Sequence, residues 1–182
     1  MNKKPVIIVL LGLAACSTPK SYFTADTRNK VEEKGISLNK LQFYIDKDVE
    51  LRRELNSRDA TVRSGKVKVE NGKYINIILL KKGTQGVCTG ENSNSLDIAF
   101  ESGVTKNLVF GLPSRPFSNN VYSLDAEKWL NPYKGPEIGK ITYDGDVYFM
   151  RFTGARPKLM VKMTSKEKFE LDKRVMSGRK IK

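Results

Sequence analysis

The stretch SGKVKVENGKYINIILLKKG, residues 64–83, constrains the fold of this chain more than any other. Apolar and polar residues alternate on both sides of Asn71-Gly72. Alternation with period two marks a half-buried strand, and Asn-Gly is a favoured pair for a tight reversal between two strands. Two registers satisfy it. A two-residue loop sets Val69 opposite Tyr74 and Val67 opposite Asn76. A three-residue loop of Glu70, Asn71 and Gly72 sets Val69 opposite Lys73 and Val67 opposite Ile75. In the second, Val67, Val69, Ile75, Ile77 and Leu79 share one face, and Gly72 takes the left-handed conformation of a bulge. The second register is therefore expected, because a one-residue slip reverses every side chain of a strand.

The same grammar recurs along the chain. From Ile36 onward LQFYID places Leu41, Phe43 and Ile45 on one face, and Val49 and Leu51 continue the alternation. LDIAFESG and KNLVFGL read as strands over Leu96–Phe100 and Asn107–Gly111, before the Pro-rich loop GLPSRPFSNN. GKITYDGDVYFMRF is a second hairpin, turning at Asp144-Gly145, and PKLMVKM is a further strand. SLDAEKWLNP reads as a short helical turn ending before Pro132, with Trp129 covering one end of the core. The segment 164–176 carries two signals. Thr164 and Glu167 have capping-box spacing, while Phe169, Leu171 and Val175 alternate as in a strand. We read it as a strand, since hairpins precede it. Short strands with Gly, Asn and Asp turns predict an all-β fold, an antiparallel sandwich or a small barrel, as one domain over 36–176.

The N-terminus follows a different pattern. Lys3 and Lys4 precede ten apolar or small residues, Val6 to Ala15. As a helix these would span about 15 Å, half of the roughly 30 Å of bilayer hydrocarbon. That length suits the apolar core of a signal peptide. It runs into Leu13-Ala14-Ala15-Cys16. This resembles the lipobox of bacterial lipoproteins. The resemblance implies cleavage after residue 15 and lipidation of Cys16 by diacylglycerol and a further acyl chain such as palmitate. Ser17 rather than aspartate after the cysteine implies the outer membrane, with the body facing the periplasm. Residues 16–35 then read as the lipidated cysteine and a leash. A short helix is expected within it, capped by Thr24 or Asp26 and closed by Gly35.

The chain carries 33 Lys and Arg against 20 Asp and Glu, a formal +13. Loss of Lys3 and Lys4 with the leader leaves +11. Such a surface attracts polyanions. An exported chain would meet anionic headgroups or wall polymer rather than nucleic acid. The compact tail 177–182 is the most basic part, and Arg174, Arg179, Lys180 and Lys182 are the candidate anionic contacts. There is no histidine. That removes His-based triads and the usual proton carrier near neutral pH. No metal-ligand spacing, phosphate loop or Ser–Lys spacing stands out, so no catalytic, cofactor or metal residue is nominated. Asp144 and Asp146 are read as turn residues rather than paired catalytic carboxylates. With Cys16 alkylated, Cys88 has no disulfide partner and reads as a small strand residue. The expected function is a non-enzymatic, lipid-anchored envelope module that binds another envelope protein or an anionic polymer. The alternatives are a histidine-free hydrolase acting on the envelope and a carrier with a ligand-sized cavity.

Overall fold

A computed structural model describes residues 19–56, 66–112, 120–130 and 135–163. Among the described residues thirteen strands form two antiparallel sheets. The strands are β1 (Lys20–Tyr22), β2 (Gln42–Ile45), β3 (Val49–Leu55), β4 (Lys66–Glu70), β5 (Lys73–Leu80), β6 (Gln85–Glu91) and β7 (Ser95–Ala99), followed by β8 (Asn107–Gly111), β9 (Ser123–Leu124), β10 (Lys128–Leu130), β11 (Glu137–Tyr143), β12 (Asp146–Phe152) and β13 (Leu159–Lys162). One sheet runs β1-β13-β2-β6-β7-β8-β9, the other β10-β11-β12-β3-β5-β4. The expected all-β sandwich is therefore what the chain builds. Its core lies between the sheets. Phe43, Leu96, Ile98, Phe110 and Val161 come from the seven-stranded sheet, and Val49, Leu51, Tyr148 and Met150 from the six-stranded one. Each large apolar side chain so buried contributes about 1.5–3 kcal/mol.

The first hairpin departs from expectation. Its ladder runs Glu70↔Lys73, Val69↔Tyr74 and Val67↔Asn76, the two-residue register. Asn71 and Gly72 have φ of 50° and 77°, both left-handed, as a type I′ turn requires. That turn matches the strand twist. Burial does not oppose it, because β4 is an edge strand whose Val67 and Val69 are 45% and 66% exposed. The inward face of β5 is set by its other neighbour, where Leu51 pairs with Ile78 and Val49 with Leu80. Ile75, Ile77 and Leu79 thus point away from the core. The second hairpin uses the same turn, with Asp144 at φ 53° and Gly145 at 79°.

The leash boundary also needs correction. Lys20–Tyr22 is a sheet strand paired with β13, and Phe23 and Val31 are fully buried. Phe23 meets Phe43 edge-on at 5.2 Å and lies 5.4 Å from Tyr122. Apolar burial draws these residues into the body, so the body begins at β1 rather than at residue 36. The expected helix is present as α1, Ala25–Glu33. The Thr24 side chain accepts from the Thr27 amide at 3.1 Å. Gly35, at φ 68°, donates to the Glu32 carbonyl, and Ile36 donates to the Val31 carbonyl. That pair of bonds is a Schellman closure.

SLDAEKWL is not helical. Ser123–Leu124 is β9, and Lys128–Leu130 is β10, paired with β11. Asp125 Oδ1 accepts from the Ala126 amide and from Trp129 Nε1, both at 2.9 Å, and Glu127 accepts from the Thr142 amide at 2.8 Å. Sheet pairing and these local acceptors outcompete a single helical turn. Trp129 packs against the core beside Phe152, with the Arg156 guanidinium 3.6 Å from its ring centroid. The strand expected over 164–176 lies outside the described residues.

Candidate functional site

The two sheets leave a pocket of about 140 Å³ at one end of the sandwich. Leu51, Ile78 and Leu80 floor it from the six-stranded sheet, and Phe100 and Leu108 from the seven-stranded one. Its rim is polar. Glu101 lies in the β7–β8 connection, and Tyr143 ends β11. The Tyr143 hydroxyl donates to Glu101 Oε2 at 3.3 Å. Lys106 Nζ donates to the same oxygen at 3.2 Å and lies 3.8 Å from Asp144 Oδ2. The Asp144 amide donates to the Thr105 carbonyl at 3.0 Å, which ties the second hairpin's turn to the β7–β8 connection.

The electrostatics follow from this packing. Burial raises the Tyr143 hydroxyl far above the ordinary tyrosine range, and the Glu101 carboxylate adds to the rise. Tyr143 is thus a hydrogen-bond donor throughout the neutral range, not a phenolate. Lys106 is raised by its bond to Glu101 and stays charged. Glu101 receives donors from both. The rim therefore offers a carboxylate already neutralised by a lysine, over an apolar floor. Both donors on Glu101 come from the protein itself.

Asp144 and Asp146 do not converge. Asp144 faces Lys106, whereas Asp146 Oδ1 accepts from Arg53 Nη1 at 2.5 Å. Each carboxylate that flanks the turn has its own cation, in keeping with a turn role. Cys88 is buried in β6, its Sγ donating to the Gly90 carbonyl at 3.3 Å. Burial pushes its thiol above the ordinary range, which lowers its reactivity.

Another polar cluster binds α1 to the sheet. Arg28 Nη1 donates to the carbonyls of Asn92 and Ser93 at 2.7 and 3.3 Å and to the Tyr122 hydroxyl at 3.0 Å, while Nε donates to Glu32 at 2.6 Å. These partners account for its burial as a structural clamp.

The pocket's polar lining is Lys81, Thr84, Glu101 and Tyr143, and Glu101 and Tyr143 are 42 residues apart in sequence. Beside them, only Asp144-Gly145 was visible in the sequence, and as a turn. Cys16 and the basic residues Arg174, Arg179, Lys180 and Lys182 lie outside the described residues. Among the described residues no group of three or more His, Cys, Asp and Glu is placed to hold a metal ion, and no helix is long and apolar enough to cross a membrane. No family model matches the chain, and no curated protein or solved structure matches it.

Proposed function

We propose that this chain is a bacterial envelope lipoprotein, cleaved before Cys16, anchored by lipid on that residue and carrying a β-sandwich that binds a partner. The observation that carries the reading is the run from Lys3 to Cys16: basic start, ten apolar residues and LAAC. Two or three acyl chains hold a protein on a membrane where one does not, at about 0.8 kcal/mol per buried CH₂. Ser17 favours the outer membrane, with the body in the periplasm. The partner is another envelope protein or an anionic polymer.

A protein partner is supported by the outer face of the six-stranded sheet. Val147, Phe149 and Leu79 are 39%, 41% and 48% exposed there, with Phe149 opposite Arg52 and Arg52 opposite Ile77. These apolar groups flank Glu50 and Arg52 of β3, a mixed apolar and charged face of the kind found in non-obligate protein contacts. The carrier reading is less well supported, since the pocket between the sheets holds about 140 Å³, below the roughly 300–1,000 Å³ of small-molecule sites, and the larger hollows of about 340 and 470 Å³ are open surface depressions. The hydrolase reading would need a carboxylate free to act, and Glu101 and Asp144 both face Lys106.

The test is metabolic labelling with a fatty-acid probe in a bacterial host. The native chain is expected to take up label and to fractionate with membranes. Cys16→Ser should abolish labelling. Label retained by that variant, or absent from the native chain, rejects the anchor.

A further inference from the structure

The anchor, if it is Cys16, leaves the body almost no tether. A chain advances at most about 3.6 Å per residue, so Lys20 of β1 can lie no more than about 14 Å from Cys16. The headgroup region on each side of a bilayer is itself roughly 5–8 Å deep. The edge of the seven-stranded sheet that carries β1 therefore stays at the membrane surface, and the body can only pivot about it.

The surface at that edge is suited to the position. Lys20 is opposite Lys162, and Tyr22 is opposite Met160. Strand alternation puts Lys20, Tyr22, Lys158, Met160 and Lys162 on the outer face, because Leu159 and Val161 between them are buried in the core. Among the described residues no carboxylate forms an ion pair with Lys20, Lys158 or Lys162. Aromatic rings support two of these lysines instead: Lys20 Nζ is 3.8 Å from the Tyr44 centroid, and Lys158 Nζ is 5.2 Å from that of Tyr22. Tyr22 is 46% exposed, and tyrosine favours the membrane–water interface. The chain also leaves β13 at this corner. Residues 166–182 follow from it in sequence with seven basic and three acidic side chains.

We propose that the outer face of β1 and β13 docks on anionic phospholipid headgroups, through Lys20, Lys158 and Lys162 with Tyr22 between them. This rests on Cys16 as the anchor and adds an orientation to it. The surface potential decays over a Debye length, roughly 8 Å at physiological salt, so lysines on the face turned to the membrane feel a substantial part of it. The body lies with this edge on the membrane and its other sheet turned toward the periplasm.

The experiment uses protein extracted from membranes and reconstituted into vesicles of phosphatidylcholine, with or without phosphatidylglycerol. Brief acetylation is read lysine by lysine by mass spectrometry, and the intact mass reports the lipid on Cys16. Lys20, Lys158 and Lys162 should acetylate roughly fivefold more slowly on the phosphatidylglycerol vesicles, an effect reversed by high salt. Lys66 and Lys68, on β4 of the other sheet, should not change. In K20E/K162E, Lys158 should lose its protection while the lipid mass remains. Equal rates on both vesicles, or protection of Lys158 that survives the charge reversal, overturn the docking face and leave the anchor standing. An intact mass without lipid overturns the anchor and this inference with it.

Discussion

Asn76 shows how a polar residue is kept inside this sandwich. It is fully buried on β5, and its Oδ1 accepts the Tyr148 hydroxyl at 2.7 Å. Asn76→Val removes this buried amide and the acceptor it offers Tyr148, and should cost about 1–3 kcal/mol in urea unfolding. Tyr148→Phe should cost less if the amide finds another donor. Tyr143 and Cys88 make a second prediction. Both are raised above their unfolded values, with burial the first cause. As pH rises, the unfolded chain loses these protons first and so binds fewer than the native state. Stability is then complete below the unfolded values and falls as pH climbs through about 9–10. Thermal unfolding against pH should show this decline, and Tyr143→Phe should flatten the part of it that begins near 10. At this scale the sequence was least informative. Nothing near Asn76 announces a buried amide, and Tyr143 of one sheet meets Glu101 of the other sheet's β7–β8 connection only through the fold.

Elements were more legible, and the misreadings have physical causes. The Asn71-Gly72 and Asp144-Gly145 hairpins were visible because their turns demand left-handed residues. The register of the first departs from the expectation that Val67, Val69, Ile75, Ile77 and Leu79 share one face. An edge strand as exposed as β4 has no buried face, so turn geometry decided. SLDAEKWL was misread because Asp125 and Glu127 accept from a neighbouring side chain and strand that lie far off in sequence or depend on the fold. The leash was drawn too long because its apolar residues, Phe23 and Val31, sit among charges. This correction can be tested directly. Phe23→Ala should destabilise the protein by about 3–5 kcal/mol, as core truncations do, whereas a leash residue would cost nothing measurable. Gly139→Ala tests the packing under Trp129. A Cβ there would lie 2.9 Å from both the Trp129 ring and Ala126 Cβ, and 3.1 Å from Met150 Cε. A loss of about 1–3 kcal/mol with altered tryptophan fluorescence is expected.

At the scale of the whole molecule, the fold class was written in a local pattern, strand alternation, and the proposed address rests on another, the leader and LAAC. The partner was not, since it depends on faces that only the folded sheets assemble. The excess of positive charge is spread over the chain, yet Lys20 of β1, four residues after Cys16 in sequence, stands opposite Lys162 of β13. Anchor and sheet edge thus make one claim about how the body meets the membrane. The most direct measurement of its foundation is the intact mass of the protein purified from the membranes of its host. The expected result is a chain that begins at Cys16 and carries the mass of a diacylglycerol, with or without an N-acyl group. A chain that retains Met1, or one that begins at any other residue without lipid, would contradict it.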